Sequence, residues 1–419
     1  MKSRFLLVVV VALLLITAVV MPAAAQTSKS LEIYVAGATD DTIKWFNDTA
    51  FPAFQKDHPD VKLDIITGGW GDFDASVAGW ITTGSGPDIV YLGSEYAATF
   101  GDLLTDMDPY LKDWASKNNI LPAAIDTVTF DGHMRGLPLL LSARPMFYRS
   151  DLAADAKAVP PLTFADSLAF VKANSAVKDG AITKQGFMDI GSGLFDAQEF
   201  IAYIWSAGGE LYNADGTSAF DSDATAQALK FMYDRRKAVL PTETTAGLPP
   251  FQGTPIASGS VVSGIFPMWN MPAVTDKLWD NIVIAPYPAG PAGKPVIQEF
   301  IDWLSVPAYA KDPQLAADFL EFLGSKDNAI ALTAVAGFTP VRTDAWDDLK
   351  AGSPVWTKIL DAAVQYGRPF ADIRASAELR PMIVEQATKY LTDQQSLADT
   401  QAAMKEEYDG ILKDNGYLK

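Results

Sequence analysis

Leu31-Glu32-Ile33-Tyr34-Val35, Val61-Lys62-Leu63-Asp64-Ile65-Ile66 and Asp88-Ile89-Val90-Tyr91-Leu92 are three short runs that together decide the fold. The first two alternate apolar and polar residues, which predicts half-buried strands. The third is apolar almost throughout and follows Gly84-Ser85-Gly86-Pro87, which predicts a short buried strand after a turn. Between the first two runs, Ile43, Trp45, Phe46, Phe51 and Phe54 recur at helical spacing over 40–56, with a kink expected near Pro52 because proline lacks the N–H that a helix needs. Phe73 to Ile81 reads as a second helix. Strand, helix, strand, helix, strand is the order of an open α/β sheet.

From about Phe147 helical patterns dominate, over 165–173, 197–207 and 224–239, with Thr163 and Asp221 or Ser222 as N-caps. Val261 to Met268 and Ile282-Val283-Ile284-Ala285 are strand-like, and 240–255, rich in Pro, Thr and Gly, reads as a surface loop. Helices are expected over 312–323, 381–391 and 399–412. No long-period repeat and no low-complexity linker appears. A chain of this length exceeds what one core usually organises, so two interwoven domains are expected.

Met1-Lys2-Ser3-Arg4, the apolar run from Phe5 to Met21 and Pro22-Ala23-Ala24-Ala25 have the layout of a secretory signal peptide over 1–25. An uncleaved anchor is the alternative, but the run is short for a span of about 20 apolar residues. The expected location is therefore periplasmic. With no cysteine there is no disulfide, thiol nucleophile or cysteine zinc site, and two histidines, His58 and His133, in polar surroundings leave little for a metal centre or a catalytic triad. No cofactor is expected. A net charge of −18 argues against nucleic acid and against anionic membrane surfaces. A monomer is expected.

Gly84-Ser85-Gly86-Pro87-Asp88-Ile89-Val90, then Asp106-Met107-Asp108-Pro109-Tyr110-Leu111, Gly136-Leu137-Pro138, Phe147-Tyr148-Arg149-Ser150-Asp151-Leu152, Trp205 with Gly208-Gly209, the Gly259, Gly264 and Trp269 spacing, and Gly337-Phe338-Thr339-Pro340 follow one another in an order that resembles the extracellular solute-binding proteins of ABC importers, in their sugar-binding, maltose-binding-protein-like branch. Between Gly259 and Gly264 valines and serine replace the usual Ala-Met. The resemblance implies a two-lobed periplasmic-binding-protein fold of type II, with a ligand cleft between α/β lobes joined by hinge crossovers. It places lobe 1 at 27–141 and 297–342 and lobe 2 at 146–293 and 346–419. Hinges are expected near Leu140 to Arg144, Lys294 to Gln298 and Val341 to Trp346. It also implies capture of a carbohydrate, delivery to the importer's transmembrane permease subunits, and no catalysis.

Ligands of open α/β sheets gather beyond the carboxyl ends of the strands. Sugars suit aromatic faces for stacking, with carboxylates and arginines for the hydroxyl rim. Trp70, set among Gly68, Gly69 and Gly71, is therefore a candidate stacking residue. Glu95, with Tyr96 beside it, resembles the family's acidic sugar contact, although a glutamate at a helix start is also ordinary. Ser142 and Arg144 lie at the first hinge; a ligand contact and a structural salt bridge are both open for the arginine. Asp196 and Gln198 precede a helix where the family often carries contacts, with N-capping the alternative for Asp196. Trp269, followed by Asn270, resembles the family's cleft tryptophan of lobe 2. Asp302 and Trp303 stand where the family often has a glycine pair; Trp303 could equally be core, and Trp205 reads as core. Phe338 and Arg380 are weaker candidates.

A carbohydrate-active enzyme would need paired carboxylates, and none of the 51 acidic residues stands in a local context that predicts a raised pKa. A binding protein for a polyol, phosphate ester or polyamine is the other alternative. A phosphate ester would require several basic groups in the cleft, and only Arg144 is well placed.

Overall fold

The computed structural model describes residues 29–70, 72–179, 181–188, 196–239, 259–265, 276–371 and 373–418. Strand β1 (Lys29–Ala36) leads through Gly37, in the left-handed region at φ 64°, to helix α1 (Asp40–Trp45). Thr39 caps that helix by accepting the Thr42 N–H, and Asp40 and Asp41 favour its positive end. The kink expected near Pro52 takes the form of a π-turn, Phe46–Ala50, before a last helical turn, Phe51–Phe54. Strand β2 (Val61–Gly68) pairs in parallel with β1 from Lys29↔Val61 to Ala36↔Gly68. Helix α2 (Phe73–Thr83) ends on left-handed Gly84, and β3 (Ile89–Leu92) pairs in parallel with β1 on its other side.

The chain continues through α3 (Asp108–Lys117) to β4 (Gly136–Arg144), β5 (Met146–Arg149), α4 (Phe164–Asn174), α5 (Ala197–Ser206) and α6 (Asp223–Val239). Thr163 and Asp196 cap α4 and α5, and the Ser222 hydroxyl accepts the Thr225 N–H at the start of α6. Strands β6 (Ser263–Ile265) and β7 (Ile282–Ala285) flank β5 antiparallel. Strand β8 (Ile297–Ser305) follows, then α7 (Pro313–Leu323), α8 (Lys326–Ala336), β9 (Thr339–Pro340), α9 (Pro354–Tyr366), β10 (Gly367–Pro369), α10 (Ser376–Leu391) and α11 (Leu397–Asp414).

The larger sheet has the order β9-β4-β8-β3-β1-β2, with β10 also on β8. One core draws on 31–140 and 303–332, around Ile33, Phe73, Leu111 and Phe319. A second draws on 146–300 and 370–412, around Tyr148, Phe200, Tyr203 and Tyr408. A smaller cluster, including Ala143, Phe147, Ile297 and Ile359, lies where β4, β5 and β8 pass from one to the other. Two lobes sharing through-running strands is the α/β architecture expected.

Two details differ from the sequence reading. Helix α10 starts at Ser376, five residues before Pro381, so Arg380 is helical; Pro381 sits inside the helix, where its missing N–H leaves the Ala377 carbonyl without its i+4 donor, and the reading had taken it for the start itself. The expected loop at 240–255, the last three positions of 261–268 and the expected signal-peptide segment lie outside the described residues. Among the described residues no helix is long and apolar enough to cross a membrane.

Candidate functional site

Beyond the carboxyl ends of β1, β2 and β3 lies a cavity of about 420 Å³. It is within the 300–1,000 Å³ range of small-molecule sites. Both sequence-remote strands, β4 and β8, and the start of α5 complete its walls.

Trp70 stands at the rim, 46% exposed, with ring centroids 5.0 Å from Phe73 and 6.0 Å from Tyr91. It lies over Gly37: a Cβ there would come within 2.6 Å of the indole nitrogen. The turn after β1 therefore requires glycine twice, for its positive φ and for this seat.

Glu95 is buried, and a Cβ at Gly93 would lie 2.7 Å from its Oε2. That oxygen has no hydrogen-bond partner among the described residues. Burial raises the Glu95 pKa, opposed by the Arg380 charge, its own backbone N–H and Arg144. Tyr96 accepts from Arg380 Nη2 at 3.2 Å, and the same guanidinium lies 3.5 Å from Asp74. Arg380 thus reaches from α10, whose core residues belong to the second lobe, to two groups of the first.

Ser142 Oγ is buried and has no hydrogen-bond partner among the described residues. Arg144 lies 3.9 Å over the Phe300 ring and donates from Nη1 to Gln198 Oε1 at 2.6 Å. Burial lowers its pKa, with Asp196 opposing most strongly. The Gln198 carbonyl accepts from Gln298 Nε2 at 2.9 Å. Asp196 caps α5, accepting the Glu199 N–H at 2.8 Å, and lines the cavity as well, so capping does not withdraw it from the site. Burial raises its pKa.

Asp302 faces the cavity; burial pushes its pKa to about 7, with a Tyr91 hydrogen bond opposing and the Glu95 charge reinforcing the rise. Glu299, earlier on the same strand and 7% exposed, is likewise pushed to about 7 by burial. The absence of any carboxylate in a pKa-raising context is therefore corrected: the raising environment is tertiary, made by strands distant in sequence. Both groups fold preferentially protonated, so they stabilise the native state below about pH 4 and that contribution is lost as the pH rises toward 7. Asp302→Asn is expected to flatten the decline in melting temperature between pH 5 and pH 8, measured by circular dichroism at matched ionic strength.

Trp303 does not line the cavity. It is fully buried, and its Nε1 donates to the Gly93 carbonyl at 3.0 Å. Side chains alternate along β8, so Phe300, Asp302 and Leu304 face the cavity while Trp303 faces the core. Trp269 and Asn270 lie outside the described residues. Phe338 and Arg380 both line the cavity. Trp205 is buried, as read. Sequence reasoning missed Tyr91, whose hydroxyl meets Asp302, and Phe46 and Leu332. Tyr91 sits in an apolar run that reads only as buried strand; the glycine two residues later was the usable signal that the strand ends at a site.

Away from the cavity, His133 Nδ1 lies 3.2 Å from Asp106 and 3.3 Å from Asp108. Asp108 also accepts the Met134 N–H and lies 3.1 Å from the Lys112 ammonium, whose charge opposes a cation there.

The family described as bacterial extracellular solute-binding protein matches residues 37–330. The arabinooligosaccharide-binding protein of Bacillus subtilis (strain 168) is 23% identical over 309 residues, 70% of this chain and 69% of its own length. A binding protein of Brucella abortus (strain 2308) is 24% identical over 300 residues, 70% of this chain and 71% of its own. Among solved structures, maltose-bound MalE3 of T. maritima superposes with TM-score 0.77 at 21% identity, covering 91% of this chain and 100% of that one. The GacH receptor of Streptomyces glaucescens GLA.O gives TM-score 0.77 at 20% identity, covering 94% and 100%. At such identities these likenesses establish the fold.

Proposed function

Since the chain belongs to the bacterial extracellular solute-binding protein family, we propose that it is the periplasmic receptor of an ATP-driven importer and that its cargo is a carbohydrate. The observation that carries the reading is the pairing of an exposed aromatic face, Trp70, with buried polar atoms that have no hydrogen-bond partner among the described residues, Glu95 Oε2 and Ser142 Oγ, in one cavity. Buried polar atoms without partners cost about 1–3 kcal/mol each, and a ligand rich in hydroxyl donors relieves that cost. Arg144, Gln198, Asp196, Asp302, Tyr96 and Arg380 complete the hydroxyl rim. Lobe closure by bending of the through-running strands then presents a distinct surface to the permease subunits. Relatives named for arabinooligosaccharide and maltose binding support the same cargo class. Phosphate esters and polyamines fit less well, because the cavity carries charges of both signs.

The test is calorimetry and thermal melts of the chain from Gln26 against mono- and oligosaccharides, polyols, phosphate esters and polyamines. A saccharide is expected to bind, and Trp70→Ala to weaken it roughly tenfold. Binding only by charged compounds would replace the cargo class. Hydrolysis of a glycan by the fresh protein would replace the receptor reading with an enzyme using Glu95 and Asp302.

A further inference from the structure

The cavity has two unlike walls. Glu95, Ser142, Arg144, Gln198 and Asp302 make one, polar and charged. The other is mostly aliphatic and aromatic, Phe46, Leu139, Leu304, Leu332, Ala336 and Phe338, with the hydroxyls of Thr39 and Thr42 beside it 3.0 Å apart and bonded to each other. A sugar ring stacks on a flat aromatic face, but a hydroxyl turned toward leucine and alanine gives up its water without gaining an acceptor. The second wall therefore offers sugar hydroxyls few partners, yet it shares one cavity with groups that demand them.

The backbone shows a second, independent sign that this recess is formed deliberately. Phe46 opens the π-turn, Phe46–Ala50, that interrupts the helical stretch. Such turns are rare and gather at functional positions. Here it sets Phe46 into the cavity while Phe51 and Phe54 return to the core against Phe319, with ring centroids 5.9 and 5.0 Å away. From the opposite side, α8 supplies Leu332 and Ala336, one helical turn apart and on the same face.

We propose that the cargo is amphiphilic: a sugar bearing an alkyl or aryl substituent, its hydroxyls on the polar wall and its substituent in the recess between α8 and the π-turn. The inference rests on the carbohydrate reading and narrows it. The binding increment comes from apolar area removed from water, about fourfold in affinity for each methylene buried.

Calorimetry decides it with free glucose, galactose, mannose and arabinose and their methyl, n-hexyl and phenyl glycosides. For the sugar that binds, the n-hexyl or phenyl glycoside is expected to bind at least tenfold tighter than the free sugar, with a more negative heat-capacity change than the methyl glycoside. Ala336→Phe, which fills the recess, is expected to bring that ratio close to one. A free sugar that binds as tightly as its hexyl and phenyl glycosides overturns the inference and leaves the carbohydrate receptor standing. A gain that survives Ala336→Phe undiminished places the substituent elsewhere and also overturns it. Should that variant not fold, the heat-capacity comparison on the unaltered chain decides alone. No binding by any member, free sugars included, overturns the inference, and the oligosaccharide panel above then decides the carbohydrate reading separately.

Discussion

Arg235→Met is expected to destabilise the folded chain by about 3–5 kcal/mol, the cost of leaving one partner of a buried ion pair alone. Arg235 and Glu199 lie 2.7 Å apart at 3% and 0% side-chain exposure. The guanidinium also packs 4.0 Å over the Phe187 ring and donates to the Tyr203 hydroxyl. Removing the arginine strands a carboxylate among Phe200, Tyr203 and Phe231, where charge is poorly solvated. The double variant Arg235→Met with Glu199→Met is expected to recover most of the loss, because an apolar pair of similar volume fills the site without a desolvation cost. Urea unfolding at pH 7 measures both. Equal instability of the single and double variants would show that the pair matters through packing and not through charge.

Arg144→Met is expected to lower affinity for the bound saccharide more than 30-fold, corresponding to about 2 kcal/mol or more for a buried charged hydrogen-bonding group. The methionine keeps apolar contact with Phe300 but donates nothing, so Gln198 loses its 2.6 Å partner. The polar wall then loses the one cation that joins β4 to the start of α5. Calorimetry against the unaltered chain measures the change, and an affinity within threefold would assign Arg144 to the fold instead of the site.

The parts of this molecule that could be read in advance are those whose signal is local. Alternation over 31–35 and 61–66 became β1 and β2, the apolar run at 88–92 became β3, Thr163 caps the helix it was expected to cap, and Asp196 takes the capping place that was the alternative read for it. Trp70 could be placed at the rim of the cavity because glycines on both sides leave no strand or helix to bury it. What could not be read is whatever depends on two distant segments meeting. Asp302 and Trp303 are adjacent, and only the pairing of β8 with β3 and β4 decides which of them turns to the cavity. The raised pKa of Asp302 comes first from burial and then from the charge of Glu95, more than two hundred positions away in sequence, against an opposing hydrogen bond from Tyr91. Arg380 was underweighted for a similar reason, since its reach to Tyr96 depends on α10 beginning ahead of Pro381.

Strand β8 interleaves two kinds of position. Ile301, Trp303 and Ser305 are fully or almost fully buried supports, and Ser305 Oγ donates to the Val90 carbonyl at 2.9 Å. Phe300, Asp302 and Leu304 form cavity wall. Inheritance along this strand should therefore run at two speeds, with alternate codons tied to folding and the ones between free to drift as the available nutrient changes. A lineage could exchange its diet through Phe300, Asp302 and Leu304 while transmitting the same scaffold.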